Sequence, residues 1–300
     1  MTTIGEQVHE PEPELHVEGP PIPLGRRIDL AGRGETFVRE VPGPPGAPTV
    51  VLLHGLVASA GLNWFQAFEP LGERYRVIAP DLRGHGRGIR SRRRFRLADC
   101  ADDVAALLEV LEVDRAIAVG YSMGGPVAQL LWLRHRDKVS GLVLCATGSR
   151  FVPGVRERLA FVTAVSVLAG TTRAGQFATR LPITKLQHRV PPEVRHRPKS
   201  LRAWASAEMR RHDPRMVIEA LAATTNFNAE RWLHLLDVPT ALLVTRDDHA
   251  IPAHEQLRLL VSIPDASVHM VDGTHTFCAK PAFGPAVRAA VDDVADRIAT

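Results

Sequence analysis

Long apolar runs, cysteine, lysine and aromatic residues are all scarce in this 300-residue chain, and each shortage excludes something. No stretch of about 18 apolar residues occurs, so no membrane span is expected. The opening MTTIGEQVHEPEPELHVEGPP lacks the apolar core that a signal peptide needs. Cys100, Cys145 and Cys278 lie far apart and fit neither a zinc spacing nor a disulfide framework. A reduced compartment allows that scarcity, and a cytoplasmic location is the expectation. Aromatics supply only 5% of residues, while Ala, Val and Leu dominate the 45% apolar fraction. Helices packed on a sheet through aliphatic side chains suit such a composition better than an aromatic-rich sandwich.

Lysine is confined to Lys138, Lys185, Lys199 and Lys280, so the basic side of the +4 formal charge is almost wholly arginine. The basic clusters accompany no recognised nucleic-acid-binding module, and no nucleic-acid partner is expected. The thirteen histidines include no H-E-x-x-H or comparable spacing, so no metal is expected either.

What the chain does have is rhythm. Residues 1–23 mix Pro, Glu and His with few large apolar groups and read as a flexible tail. Strand-like pieces follow at Arg26–Leu30 and Glu35–Val41, then a turn-rich Pro42–Pro48. Thr49–Leu53 is a continuous β-branched and apolar run, as in a strand buried on both faces. Tyr75–Ala79, Arg115–Gly120, Val139–Cys145, Thr240–Thr245 and Ser267–Val271 read as further strands. Helical spacing marks Leu97–Leu111, Met123–Arg134, Ala253–Leu260 and Pro285–Ile298. Strands alternating with helices predict an α/β fold, a mostly parallel central sheet flanked by helices.

The rhythm breaks between residues 147 and 236. That Arg-rich stretch reads as helices split by Pro182, Pro191, Pro192 and Pro198, and the pattern predicts an inserted helical lid. Residues 24–146 and 237–300 then form the core. Trp204, Met209, Met216, Phe227 and Trp232 read as lid packing, with an apolar acyl pocket as the functional alternative.

Gly120-Tyr-Ser-Met-Gly124 is a G-x-S-x-G pattern. Alone it is weak, but here it follows an apolar strand and opens a helix, the setting a nucleophile elbow requires. Glycines two residues either side of Ser122 permit the tight turn. The serine then projects at a helix N-terminus, where the dipole favours developing negative charge.

On these residues the chain resembles the α/β-hydrolase superfamily, in particular its lid-bearing serine esterase, haloperoxidase-like and C–C hydrolase branch. Leu52-Leu-His-Gly-Leu56 resembles the strand end whose loop supplies part of the oxyanion hole. Ala79-Pro-Asp-Leu-Arg-Gly-His-Gly86 resembles the next strand end and turn, and Ala241–Pro252 the strand that delivers the acid. The resemblance implies the α/β-hydrolase fold and a triad in the order Ser, acid, His. Ser122 is the implied nucleophile and His275, in Val271-Asp-Gly-Thr-His275, the base. Asp248, in register with Ile251 and Pro252, is favoured over Asp247 as the acid, although Thr245 stands where the family usually has Gly. Met123 and Leu56 are the implied oxyanion donors, with Val57 an alternative to Leu56. His54 and His85 read as packing or hydrogen-bonding residues, and Cys278 as a small buried hydrophobe.

The leading expectation is hydrolysis of a carboxylic ester of a small-to-medium apolar substrate through an acyl-enzyme, with no cofactor. C–C bond hydrolysis, cofactor-free perhydrolysis and acyl transfer would use the same triad. A ligand-binding sensor on a hydrolase scaffold is the non-enzymatic alternative. The run Arg87–Arg96 replaces the family's usual continuation and reads as a solvated loop, with an acidic acyl carrier or a membrane surface as the functional alternative.

Overall fold

The computed structural model describes residues 20–151 and 201–299. Most of the expected tail, and residues 152–200 of the expected lid with Pro182, Pro191, Pro192 and Pro198, lie outside the described residues.

Eight strands form one sheet: β1 (Gly25–Leu30), β2 (Gly34–Val41), β3 (Thr49–Leu53), β4 (Arg76–Pro80), β5 (Ala116–Tyr121), β6 (Val139–Cys145), β7 (Thr240–Thr245) and β8 (Ala266–Val271). Their order is β1-β2-β4-β3-β5-β6-β7-β8. β2 runs antiparallel to β1 and β4, and every other neighbouring pair is parallel. The fold is the expected α/β-hydrolase architecture. The β1–β2 hairpin turns at Gly32, where φ is +70° and nothing would obstruct a side chain; glycine serves that backbone conformation.

Alternation along each central strand feeds two cores. Val51 and Leu53 of β3 face one side with Ala116 and Ala118 of β5 and Leu242 and Val244 of β7. Val50, Leu52, Ile117, Val119, Ala241 and Leu243 face the other. Two-sided burial is why these strands are unbroken apolar runs. On the first face pack α3 (Leu97–Val110), α4 (Gly124–Arg134) and α7 (Ala253–Ser262). On the second pack α1 (Ala60–Trp64), α2 (Phe68–Gly72) and α8 (Phe283–Ala299). The five-residue helices α1 and α2 are too short for hydrophobic periodicity to announce. Helix α8 begins two residues before Pro285, which its first turn tolerates because those N–H groups lack intrahelical partners anyway.

The described part of the 147–236 insertion holds α5 (Leu201–Met209) and α6 (Pro214–Thr225). Asp213 caps α6 by accepting from the Met216 N–H at 3.1 Å, with Pro214 at the first helical position. Met216 is fully buried against Gly84, where an added Cβ would come within 2.5 Å of its side chain. Trp232 stacks on Trp132 of α4 at 6.2 Å, and Phe227 meets both Phe151 and Trp232 edge-on. Trp204 is buried beside Phe65, whereas Met209 is exposed. Among the described residues no helix is long and apolar enough to cross a membrane.

Candidate active site

The carboxyl ends of the parallel strands place the site. At the end of β5 the chain turns sharply into α4, and Ser122 takes a left-handed φ of +52°. Such backbone strain in a non-glycine residue is affordable only where the surroundings hold it. They do: the Ser122 N–H donates to the Cys145 carbonyl at 2.9 Å. Its own carbonyl accepts from Gly125 N–H at 2.9 Å and from Thr147 Oγ1 at 2.8 Å. The flanking glycines are required by space. A Cβ on Gly120 would lie 2.3 Å from the Gly124 carbonyl oxygen, and one on Gly124 would lie 2.0 Å from that of Leu53.

That close approach presses the head of α4 against the end of β3. The loop after β3 consequently borders Ser122, since a Cβ on Gly55 would be 3.3 Å from that of the serine. Both peptide groups of Gly55 are tied down. Its N–H donates to Asn63 Oδ1 at 3.0 Å, and its carbonyl lies 2.8 Å from His54 Nδ1. His54 Nε2 accepts from the Leu82 N–H at 2.9 Å, so Nδ1 carries the proton that Gly55 accepts. Burial pushes the His54 imidazole down to about 3, which keeps it neutral in this role. The held loop carries Leu56, half-buried, and Val57, largely exposed with φ +57°. Met123 follows Ser122 as the residue capping α4 and is fully buried.

His275 lies in the loop after β8, and Asp248 in the loop after β7. His275 Nε2 is 2.9 Å from Ser122 Oγ, and Nδ1 is 2.8 Å from Asp248 Oδ2. A carboxylate only accepts, so Nδ1 donates to Asp248 and Nε2 is left to accept from the serine hydroxyl. The Asp248 side chain is wholly shielded from solvent; that of His275 is 29% exposed. Burial alone would raise the Asp248 carboxyl. Hydrogen bonds from His275 and the Ile251 N–H outweigh it and hold the group below the usual carboxylate range. Adjacent Asp247 is exposed, and its N–H donates to the Gly273 carbonyl at 3.1 Å. Ser122, His275 and Asp248 are therefore brought together, and Asp247 is not.

Several supporting side chains had no signal in the sequence. Tyr121, the variable residue of the elbow, donates its hydroxyl to the His275 carbonyl at 2.8 Å. Thr147, Asn63 and Gln256 hold the turn at Ser122, the β3 loop and the Asp248 loop, yet none belongs to a recognisable motif. Cys278 is partly buried near Tyr121, and burial raises its thiol to about 11. His85 is fully buried, with Nδ1 3.1 Å from the Arg83 carbonyl. Among the described residues no three His, Cys, Asp or Glu side chains converge to hold a metal.

The Arg87–Arg96 run divides. Arg90 donates to the carbonyls of Gly86 at 2.6 Å, Gly88 at 3.2 Å and Arg211. The Arg87 guanidinium is 3.7 Å from the buried Glu208 carboxylate. Arg92, Arg93, Arg94 and Arg96 are exposed.

A family model described as the alpha/beta hydrolase fold matches residues 48–280. A poly(3-hydroxyalkanoate) depolymerase of Ectopseudomonas oleovorans is 28% identical over 264 residues, covering 84% of this chain and 86% of its own. A bromoperoxidase from Bacillus anthracis shares the fold with a TM-score of 0.70 at 20% identity, over 90% of this chain and all of that one. A thermophilic esterase from Thermogutta terrifontis aligns with a TM-score of 0.69 at 24% identity, over 92% of this chain and 99% of that one.

Proposed function

Because this chain belongs to the α/β-hydrolase family, we propose that it is a serine hydrolase cleaving carboxylic esters of small-to-medium apolar substrates. The observation that carries the proposal is the unbroken path from Ser122 Oγ through the His275 imidazole to Asp248, with links of 2.9 and 2.8 Å. The likeness to a poly(3-hydroxyalkanoate) depolymerase supports a hydrolytic reaction.

In the proposed cycle His275 Nε2 removes the Ser122 proton as Oγ attacks the ester carbonyl carbon. Asp248 keeps the imidazole in the required tautomer and stabilises the imidazolium that forms. The oxyanion is held by the backbone N–H of Met123 and that of Leu56 or Val57. Each such donor is typically worth about 3–4 kcal/mol at the transition state. Collapse expels the alcohol, which takes the proton from His275. Water, deprotonated by the same imidazole, then releases the acid and regenerates the serine.

Labelling by a fluorophosphonate, together with turnover of p-nitrophenyl esters of graded acyl length, tests this. Wild type should be labelled and active, and Ser122→Ala should lose both. Wild-type protein that is neither labelled nor active on any ester would remove the reading and favour a ligand-binding role.

A further inference from the structure

Thr245 occupies a position where the resembling family usually has glycine, and its hydroxyl reaches the acid of the proposed triad. Asp248 Oδ1 accepts from the N–H groups of Ala250 and Ile251, both at 2.9 Å. Oδ2 accepts from His275 Nδ1 at 2.8 Å and from Thr245 Oγ1 at 2.9 Å, and Gln256 Nε2 lies 3.4 Å away. Behind the threonine lies Gln256, the fourth residue of α7. Its Nε2 is 2.7 Å from the Ile251 carbonyl oxygen and 3.0 Å from Thr245 Oγ1. Its Oε1 accepts from the Thr245 N–H at 3.2 Å, which fixes the orientation of the amide, since the reverse would oppose two donors. Thr245 and Gln256 are each 1% exposed, so solvent does not compete for these groups.

Hydrogen accounting then fixes the direction of every bond. An amide nitrogen only donates, and the two Gln256 hydrogens serve the nearest acceptors, the Ile251 carbonyl and Thr245 Oγ1, ahead of the Thr245 carbonyl and Asp248 Oδ2, both at 3.4 Å. The threonine hydroxyl, having accepted there, has its single proton left for Asp248 Oδ2. Two donor chains therefore converge on one carboxylate oxygen: Ser122 to His275, and Gln256 to Thr245.

We infer that Thr245, oriented by Gln256, is a positioning residue that weakens the pull of Asp248 on the His275 imidazolium. This rests on the proposed catalytic roles of Ser122, His275 and Asp248. The negative charge of Oδ2 is shared between two donors, so less of it stabilises a protonated imidazole. The consequence is an enzyme that stays active to lower pH than the same triad without the threonine. The lowered proton affinity of Asp248, to which the Thr245 hydrogen bond contributes, agrees with this. Among the described residues the Tyr121 phenol of β5 packs against the imidazole, 5.9 Å between ring centres, with the Cys278 thiol beside it, and burial keeps both protonated at neutral pH. Neither changes charge where the acid limb of activity falls, so that limb reads the imidazole and its carboxylate.

The test is the pH profile of kcat/KM on p-nitrophenyl butyrate for wild type, Thr245→Val, Thr245→Ser and Gln256→Met. Thr245→Val keeps the shape and removes the donor. Its acid limb should move to higher pH by roughly half a unit, about a threefold change in the proton concentration at half-activity. Thr245→Ser restores the hydroxyl and should superimpose on wild type. Gln256→Met should shift the limb the same way by less, and it serves where Thr245→Val does not fold. A purely structural role would lower melting temperatures and leave the acid limb in place, and that result overturns the inference. Wild type with Ser122-dependent turnover but unshifted variants refutes the inference alone. Wild type without such turnover removes the parent reading and this one together.

Discussion

The Tyr121 hydroxyl donates a 2.8 Å hydrogen bond to the backbone carbonyl of His275, so the residue before the elbow serine anchors the loop of its partner histidine. The ring is buried, edge-on to Trp64 at 6.3 Å and to Phe283 at 5.6 Å. Tyr121→Phe keeps that packing and removes the hydroxyl from the His275 carbonyl and from the Cys278 thiol beside it. Stability should fall by about 1 kcal/mol in urea titration, as for one lost internal hydrogen bond. The kcat of ester turnover should fall several-fold more than KM changes, because the imidazole is less well placed.

His54 makes stability depend on pH in a definite direction. Its folded-state pKa of about 3 lies below the unfolded value of 6.5, so the unfolded chain binds more protons between these limits. The contribution is complete above pH 6.5 and is lost as pH falls towards about 3, reaching about 5 kcal/mol. Denaturant midpoints measured across that window should fall with acidification. His54→Gln should flatten the slope; an unchanged slope would refute the assignment.

Arg83 and Asp103 form a two-pronged pair, Nε to Oδ2 and Nη2 to Oδ1, both at 2.6 Å and both side chains under 10% exposed. Asp103 Oδ1 also accepts from Arg33 Nε at 2.5 Å, so Arg83→Met leaves the carboxylate one cation, whereas Asp103→Ala leaves the buried Arg83 guanidinium only Asp99 at 3.8 Å. Asp103→Ala should cost about 3–5 kcal/mol and Arg83→Met less. The double variant should cost less than the sum of the two, which a thermodynamic cycle from urea curves checks.

The arginine run predicts two kinds of behaviour. Arg90→Ala frees the three carbonyls of Gly86, Gly88 and Arg211, and should lower stability by more than 1 kcal/mol. Ala at Arg92, Arg93 or Arg94, whose side chains are exposed, should stay within about 0.5 kcal/mol of wild type. Thermal melts of the four variants separate the two groups.

The parallel core strands were readable because burial on both faces demands unbroken β-branched runs such as Thr49–Leu53, and strand β7 was legible for the same reason. The glycines around Ser122 were legible because a backbone contact of 2.0 Å tolerates no side chain at Gly124. Helices α1 and α2 were not, since five residues complete barely more than one helical turn. Trp204, Met216 and Phe227 could be read as packing or as pocket; in the structure all three are buried, with Trp204 beside Phe65, Met216 beside Gly84 and Phe227 beside Phe151 and Trp232.

Local sequence thus determined which strands are buried and where the chain must turn sharply, both properties of neighbouring residues and their sterics. The order of serine, acid and histidine was what the family resemblance implied. The register of Asp248 with Ile251 and Pro252 already favoured it over Asp247, and the fold sets it against His275; only the tertiary structure decided that Thr245, Gln256, Tyr121 and Thr147 stand behind the site. Those contacts join loops as far apart as 154 positions in the chain, and hydrogen-bond direction across such a gap leaves no periodic trace in the sequence.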